Sequence, residues 1–255
     1  MLGWSINLFR IRGIVISLHF SFLLLLAYVC DEGWKQAGVP GLWWSGAFLL
    51  AIFACVVLHE LGHSFMALRF GVRVRRILLT PVGGMAEFDG IPRKPVQEFL
   101  VAAAGPAVNF LLVAALWCMV SFPDGWDDVS IPSSIGDMGR FLFVANLVMG
   151  VFNLIPAFPM DGGRILRALL AMRLPYVRAT FWAVMVAKVI TVVGFAVTIY
   201  FGRYLTSAIC VMIFLFGEAE YRAVKRREID ETRLKEALGR PYGVPPSEEP
   251  PILNG

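Results

Sequence analysis

The chain has 255 residues, of which 58% are hydrophobic and only 16% are charged. Soluble domains contain about 25% charged and roughly 45–50% apolar residues, so this composition excludes an ordinary soluble protein and indicates an integral membrane protein. The net charge of +4 calls for no nucleic-acid partner, because basic residues beside membrane spans account for it.

Six apolar segments are each long enough to cross a bilayer core of about 30 Å as a helix. They lie at residues 13–30, 43–69, 99–121, 139–157, 179–201 and 204–220. We therefore predict an all-α polytopic membrane protein with about six transmembrane helices. Residues 1–221 would form one membrane-embedded domain. Residues 222–255 would form a cytoplasmic tail that is partly disordered, because its end is rich in proline.

Basic residues near the span ends predict the orientation, because cytoplasmic loops carry an excess of Lys and Arg. All Lys and Arg residues fall on one side of the predicted spans except Lys35, Arg140, Lys188 and Arg203. The loop between the third and fourth predicted spans is acidic instead. We expect both termini to be cytoplasmic and the protein to lie in the cell (inner) membrane.

The segment HELGH in the second predicted span places His59 and His63 four residues apart, with Glu60 between them. On a helix the two histidines share one face, one turn apart, and can bind one ion. HExxH is a zinc-binding pattern in which the glutamate acts as general base toward a zinc-bound water. The alternative is interhelical packing. Ionisable groups inside a membrane are costly, however, and indicate a functional site.

A hydrolytic zinc site has three protein ligands and keeps one position for water. Asp161, in the segment NLIPAFPMDGGR, is the better candidate for the third ligand, because two prolines there interrupt the fourth predicted span. We expect the two glycines that follow to adopt backbone angles that other residues avoid. Two alternatives are open: His19 is the third ligand, or Asp161 only caps the next helix. Counting residues from each span start places both motifs near the cytoplasmic edge.

The segment VRVRRILLTPVGGMAEF, between the second and third predicted spans, does not resemble a span. Apolar residues alternate with basic ones, and Pro81 and the pair Gly83 and Gly84 interrupt the pattern, which predicts two short strands joined by a turn. We expect a small β-hairpin or sheet whose exposed edge can hold an extended peptide. The alternative is a basic loop that lies against anionic lipid.

Three motifs in order, HELGH, GPAVN at 105–109 and NLIPAFPMDGGR at 153–164, resemble those of the site-2 protease family of intramembrane zinc metalloproteases. The resemblance covers nearly all of residues 10–220. It implies that His59, His63 and Asp161 bind one Zn²⁺ ion and that Glu60 is catalytic.

The resemblance also implies that a sheet lies beside the zinc, where Gly83 and Gly84 would contact the substrate. Asn109 and Asn153 match asparagines near the family's active centre, where an amide either holds the substrate or joins two helices.

The substrates that the resemblance implies are single-span, membrane-anchored proteins cut within or beside their transmembrane segments. Unlike many members of that family, the sequence shows neither a PDZ insertion nor a CBS pair, so any regulatory partner is unidentified. The alternative function is a zinc-binding or ion-transport protein without protease activity. Such a protein would need more polar residues across its spans, whereas Lys188 is nearly alone there.

Overall fold

The computed structural model describes residues 5–81, 83–90, 94–118 and 135–239. Five helices in this part of the chain are each long and apolar enough to cross a membrane. The fold is therefore mostly helical, as an integral membrane protein requires. In chain order the elements are β1 (Ser5–Ile11), β2 (Ile14–His19), α1 (Phe20–Arg69), β3 (Val74–Thr80), β4 (Gly83–Phe88), α2 (Pro95–Trp117), α3 (Ile135–Asn153), α4 (Asp161–Ala171), α5 (Tyr176–Tyr200) and α6 (Tyr204–Gly239).

Helix α1 is broken near Gly38, whose φ of +64° is not helical. Residues on the two sides of the break contact each other in antiparallel order. The rings of Phe22 and Phe53 meet edge to face with centroids 4.5 Å apart, and a side chain on Gly33 would collide with the carbonyl of Gly41. The 50 residues of α1 therefore form two helical segments that run in opposite directions.

The predicted start of the first span, residues 13–30, is wrong. Strand β2 occupies residues up to His19, and the helix begins at Phe20. Ile14 and Ile16 of β2 are buried in the core beneath the sheet. A short apolar run has the same composition in a buried strand and in a helix, so hydrophobicity alone does not distinguish them.

The sheet has four strands in the order β1-β2-β3-β4 rather than the two predicted. Strands β1 and β2 are antiparallel, as are β3 and β4, and β2 runs parallel to β3. Ile16, Ile77 and Leu79 from one face of the sheet pack with Phe53 and Leu61 of α1. The sheet is thus fixed to the same helical segment that carries the HELGH motif, with β4 at its edge.

Helices α2, α3, α5 and α6 overlap the predicted spans 99–121, 139–157, 179–201 and 204–220. Helix α3 ends at Asn153, at the start of the segment interrupted by prolines. Helix α6 continues without interruption past residue 221, where we predicted the start of the tail. The acidic loop residues before 135 and the proline-rich end after 239 lie outside the described residues.

Candidate metal centre

Three buried side chains converge between α1, α2 and α4. His59 and His63 lie one turn apart on the second segment of α1, and Asp161 is the first residue of α4. The two Nε2 atoms are 3.1 Å apart. Oδ2 of Asp161 lies 3.3 Å from His59 Nε2 and 3.2 Å from His63 Nε2. The three potential ligand atoms therefore form a nearly equilateral triangle, and among the described residues this is the group suited to hold a metal ion.

Hydrogen bonds on the far side of each ring fix the tautomers of the two histidines. Nδ1 of His63 lies 2.7 Å from the backbone oxygen of Val101, which can only accept, so this nitrogen carries the proton. Nδ1 of His59 lies 2.5 Å from Oδ1 of Asn109 in the same way. Both Nε2 atoms therefore direct lone pairs at the centre, the usual arrangement of metal-binding histidines.

The dimensions of the triangle fit zinc. Histidine nitrogens and carboxylate oxygens bind zinc at about 2.0–2.2 Å, so two ligands in tetrahedral arrangement are about 3.3 Å apart. The observed separations of 3.1–3.3 Å agree with this value. Three deprotonated acceptor atoms at such short range would repel one another without a cation. Two imidazoles and one carboxylate are ligands that zinc prefers, and three protein ligands leave a fourth position for water.

Helix α2 lies directly behind the two imidazoles at Gly105. A Cβ atom on Gly105 would lie 2.8 Å from His59 Cε1 and would collide with His63 Nε2. Gly62 of α1 faces the same helix, because a Cβ there would lie 2.8 Å from the carbonyl oxygen of Ala104. Gly62 therefore allows α1 and α2 to pack closely beside the centre.

The segment before α4 places Asp161 in the centre. Gly162 and Gly163 are both helical and buried, so our expectation of unusual backbone angles at these glycines is wrong. They are required for close approach instead. A side chain on Gly162 would collide with the carbonyls of Leu154 and Ile155, and one on Gly163 would lie 2.8 Å from the Ala157 carbonyl carbon.

The structure places the candidates for the third position in different surroundings. Met160, not Asp161, is the N-cap of α4, and the carboxylate of Asp161 faces the histidines. His19 is the N-cap of α1, where its Nδ1 accepts a hydrogen bond from the backbone N–H of Ser21 at 3.2 Å. The geometry therefore brings Asp161, and not His19, to the metal centre.

Glu60 lies beside the backbone of strand β4. A Cβ atom on Gly84 would lie 2.5 Å from Glu60 Cγ and 3.2 Å from its carboxyl carbon. Within the described residues the Glu60 carboxylate forms no hydrogen bond or ion pair, so it is available to a water or a substrate. Gly83 has a φ of +138°, which side chains rarely adopt, and it closes the turn after β3. Gly84 therefore lies where the strand passes Glu60, whereas a Cβ atom on Gly83 would meet no atom within 4 Å.

The two asparagines differ in their surroundings. Asn109 is fully buried. Its Oδ1 accepts from His59 Nδ1, and its Nδ2 donates to Asn146 Oδ1 at 3.0 Å. Its observed role is thus interhelical, and sequence reasoning missed Asn146, although an amide inside an apolar helix is a recognisable signal. Asn153 is partly exposed at the end of α3 and has no side-chain hydrogen bond within the described residues.

The fold and the site together define an integral membrane protein with a buried His-His-Asp group that could hold a metal ion. The chain belongs to peptidase family M50, which it matches over residues 47–136 and 130–201. It is 37% identical over 228 residues to the zinc metalloprotease MJ0392 of Methanocaldococcus jannaschii, a match that covers 88% of this chain and 62% of that protein. The chain therefore spans less than two thirds of this curated relative.

A solved structure supports the same assignment. The site-2 protease from Methanocaldococcus jannaschii superposes with a TM-score of 0.59 and 33% sequence identity. The superposition covers 86% of this chain and 95% of that structure. Fold and family therefore agree.

Proposed function

We propose that this protein is a zinc metalloprotease that hydrolyses peptide bonds within or beside the transmembrane segments of membrane-anchored proteins. The observation that carries the proposal is the triangle of His59 Nε2, His63 Nε2 and Asp161 Oδ2, with Glu60 beside it. The names of the relatives, a zinc metalloprotease and a site-2 protease, support it.

The three ligands would hold one Zn²⁺ ion, which supplies a Lewis acid that lowers the pKa of water and polarises the scissile carbonyl. Glu60 takes the proton of the attacking water and delivers it to the leaving amine. Its side chain lies beside Gly84 of the edge strand. The amide of Asn153, free of other partners in the described structure, is our candidate for binding the substrate carbonyl.

Strand β4 is the proposed binding surface for the substrate backbone. A transmembrane helix shields its own peptide bonds, so the substrate must unwind before hydrolysis. Strand β4 is paired only with β3 within the described residues, so its other edge offers N–H and C=O groups to an extended chain. Because Gly84 of this strand touches Glu60, a peptide added there would pass next to the catalytic carboxylate.

Two of the basic residues near β4 are paired with acids, which weakens the alternative of a lipid-binding loop. Arg76 donates to Glu87 at 2.8 Å, and Arg75 pairs with Asp89. The hydrogen bond from Arg76 holds the pKa of Glu87 below its usual value, so the acid stays ionised and offsets the positive charge. We therefore favour strand addition over lipid contact for this segment.

We further propose that the chain crosses the membrane six times, with the two segments of α1 as the first two crossings. The distribution of Lys and Arg supports cytoplasmic termini and a centre close to the cytoplasmic side. The antiparallel contacts across the break in α1 support two crossings rather than one.

The alternative of ion transport is less well supported. Lys188, the charge considered for a transport path, is paired with Glu218 at 2.6 Å between α5 and α6. Its ammonium group also lies 5.2 Å from the ring centroid of Phe214. Lys188 is therefore neutralised by an ion pair between two helices and is not available to bind a transported ion.

Hydrolysis of a single-span model protein by the purified full chain in detergent tests the proposed function. We expect cleavage that a zinc chelator stops and that added Zn²⁺ restores. A His59→Ala variant, which loses a ligand, serves as the control for contaminating proteases. Cleavage that persists in this variant, or that ignores the chelator, would contradict the proposal.

A further inference from the structure

One face of α2 contacts both histidines of the metal centre and also helix α4. Glu98, Val101, Gly105 and Asn109 follow one another at intervals of three or four residues, so they share a face of the helix. Val101 and Asn109 orient the two histidines, and Gly105 lies behind them. Glu98, at the beginning of this row, contacts neither histidine.

Glu98 binds helix α4, which carries the third ligand. Nε of Arg167 donates to Glu98 Oε1 at 2.8 Å, and Nη2 lies 2.6 Å from the same oxygen. Both residues are 0% exposed. The guanidinium also lies 5.1 Å from the ring centroids of Phe158 and Tyr176. Arg167 is therefore held in one orientation by a carboxylate and two aromatic rings.

Helix α4 needs such an external restraint. It has 11 residues, and isolated helices of this length are marginal in water, so packing determines where it lies. Arg167 is six residues after Asp161, or about 9 Å along the helix at 1.5 Å per residue. A directional contact at Arg167 therefore restricts both the rotation and the axial position of the helix that presents Asp161.

A gain in folding stability does not by itself explain why the ion pair of Glu98 and Arg167 is buried. The cost of removing two charges from water often cancels their attraction, and apolar pairs of similar size are frequently as stable. Removal of one partner, in contrast, leaves an unpaired buried charge and is strongly destabilising. A buried pair that connects a ligand-bearing helix to the helix orienting the other ligands is better explained by the position that it imposes.

We propose that the Glu98–Arg167 ion pair is the positioning element for Asp161: it fixes α4 on the face of α2 that orients His59 and His63, so that the three ligand atoms converge. This inference rests on the proposed zinc centre. Glu220 of α6 also contacts Arg167 Nη1 at 2.5 Å. Its side chain is 35% exposed, so we assign it a smaller contribution than Glu98 to the position of Arg167.

Zinc affinity of the purified full chain, measured by competition with a chromogenic chelator, tests the proposal. The main variant is the double substitution Glu98→Leu with Arg167→Met, which removes both buried charges and leaves only the partly exposed Glu220 without its Arg167 partner. We expect the metal-free double variant to be as thermally stable as the metal-free native protein. We expect it to bind zinc about 10–100-fold more weakly, the usual loss when residues that orient metal ligands are replaced. Cobalt substituted for zinc should also give an altered visible absorption spectrum.

Two further variants keep the test decisive if the double variant is poorly folded. Arg167→Lys retains the charge but replaces the planar fork by a point charge, so we expect an intermediate loss of zinc affinity. Glu220→Gln, the matched control, should bind zinc within about 3-fold of the native protein, since Glu220 is partly exposed and the contact between Arg167 and Glu98 is kept.

The outcomes separate this inference from the proposed function. If the native protein binds one zinc ion while the double variant and Arg167→Lys bind it equally well with an unchanged cobalt spectrum, the pair is only structural and the inference is wrong. If the native protein binds no zinc, the proposed function fails and this inference fails with it.

Discussion

Nδ1 of His59 on α1 lies 2.5 Å from Oδ1 of Asn109 on α2, so an amide on one helix sets the orientation of a metal ligand on another. Asn109 is itself held by Asn146 and by the sulfur of Met149 at 3.2 Å. The ligand thus depends on hydrogen bonds that extend across three helices.

Replacement of Asn109 by alanine should therefore weaken zinc binding without removing a ligand. We expect a loss of about 10–100-fold in zinc affinity in Asn109→Ala, because the ring of His59 loses the acceptor that fixes its tautomer. Asn146→Ala leaves that acceptor in place and should reduce zinc affinity less. Chelator competition measures both. Equal affinities in the two variants would mean that Asn109 acts only in helix packing.

Gly105 should tolerate no side chain. Gly105→Ala places a methyl group against both imidazoles, so we expect the purified protein to lose most of its zinc and its activity. Gly217→Ala is the matched control, since a Cβ there would be at an ordinary 3.7 Å from Val184. Metal analysis of both variants checks the prediction. A fully loaded Gly105→Ala protein would show that α2 does not pack against the imidazoles.

Proline substitutions along β4 should reveal the substrate-binding edge. Proline removes a backbone donor, so positions whose N–H points away from β3 should lose cleavage while zinc content stays normal. Alanine at the same positions should have a mild effect, apart from Gly83 and Gly84, where a side chain is not tolerated. The measurement is the rate at which each variant cleaves a single-span substrate.

The lipid-binding alternative predicts the opposite pattern for this segment. Neutralising Arg73, Arg75 and Arg76 would then reduce cleavage most, and proline would have little effect. Indistinguishable proline and alanine scans across Met85–Phe88 would exclude strand addition at β4.

The proposed orientation predicts which positions are accessible from outside an intact cell. Single cysteines in the 124–137 loop should react with a membrane-impermeant thiol reagent, whereas cysteines near residue 173 or in the tail should not. The four native cysteines need to be replaced first, because Cys118 is exposed. Labelling of the tail from outside would show that the opposite orientation is correct.

Local patterns in the sequence were enough to find the chemical groups of the site. The four-residue spacing of His59 and His63 and the prolines before Asp161 are features of neighbouring residues, and the structure brings these side chains together. Contacts between distant parts of the chain were not predictable in this way. Glu98 and Arg167 are 69 residues apart and form their pair only once α2 and α4 are packed.

Two further differences between prediction and structure have physical causes. Hydrophobicity places strand β2 in a predicted span because a buried strand and a helix have similar composition. The need for glycine at Gly162 and Gly163 arises from neighbouring carbonyls rather than from the backbone angles that we predict.

The measurement that tests the central claim most directly is zinc content and cleavage in the Glu60→Gln variant, beside the native protein and Asp161→Ala. The amide keeps the shape of Glu60 but cannot accept a proton. We therefore expect about one zinc per chain with cleavage at least about 100-fold slower, the usual contribution of a general base, whereas Asp161→Ala should lose both zinc and activity. Full cleavage by Glu60→Gln, or zinc retained at native affinity by Asp161→Ala, would contradict the account.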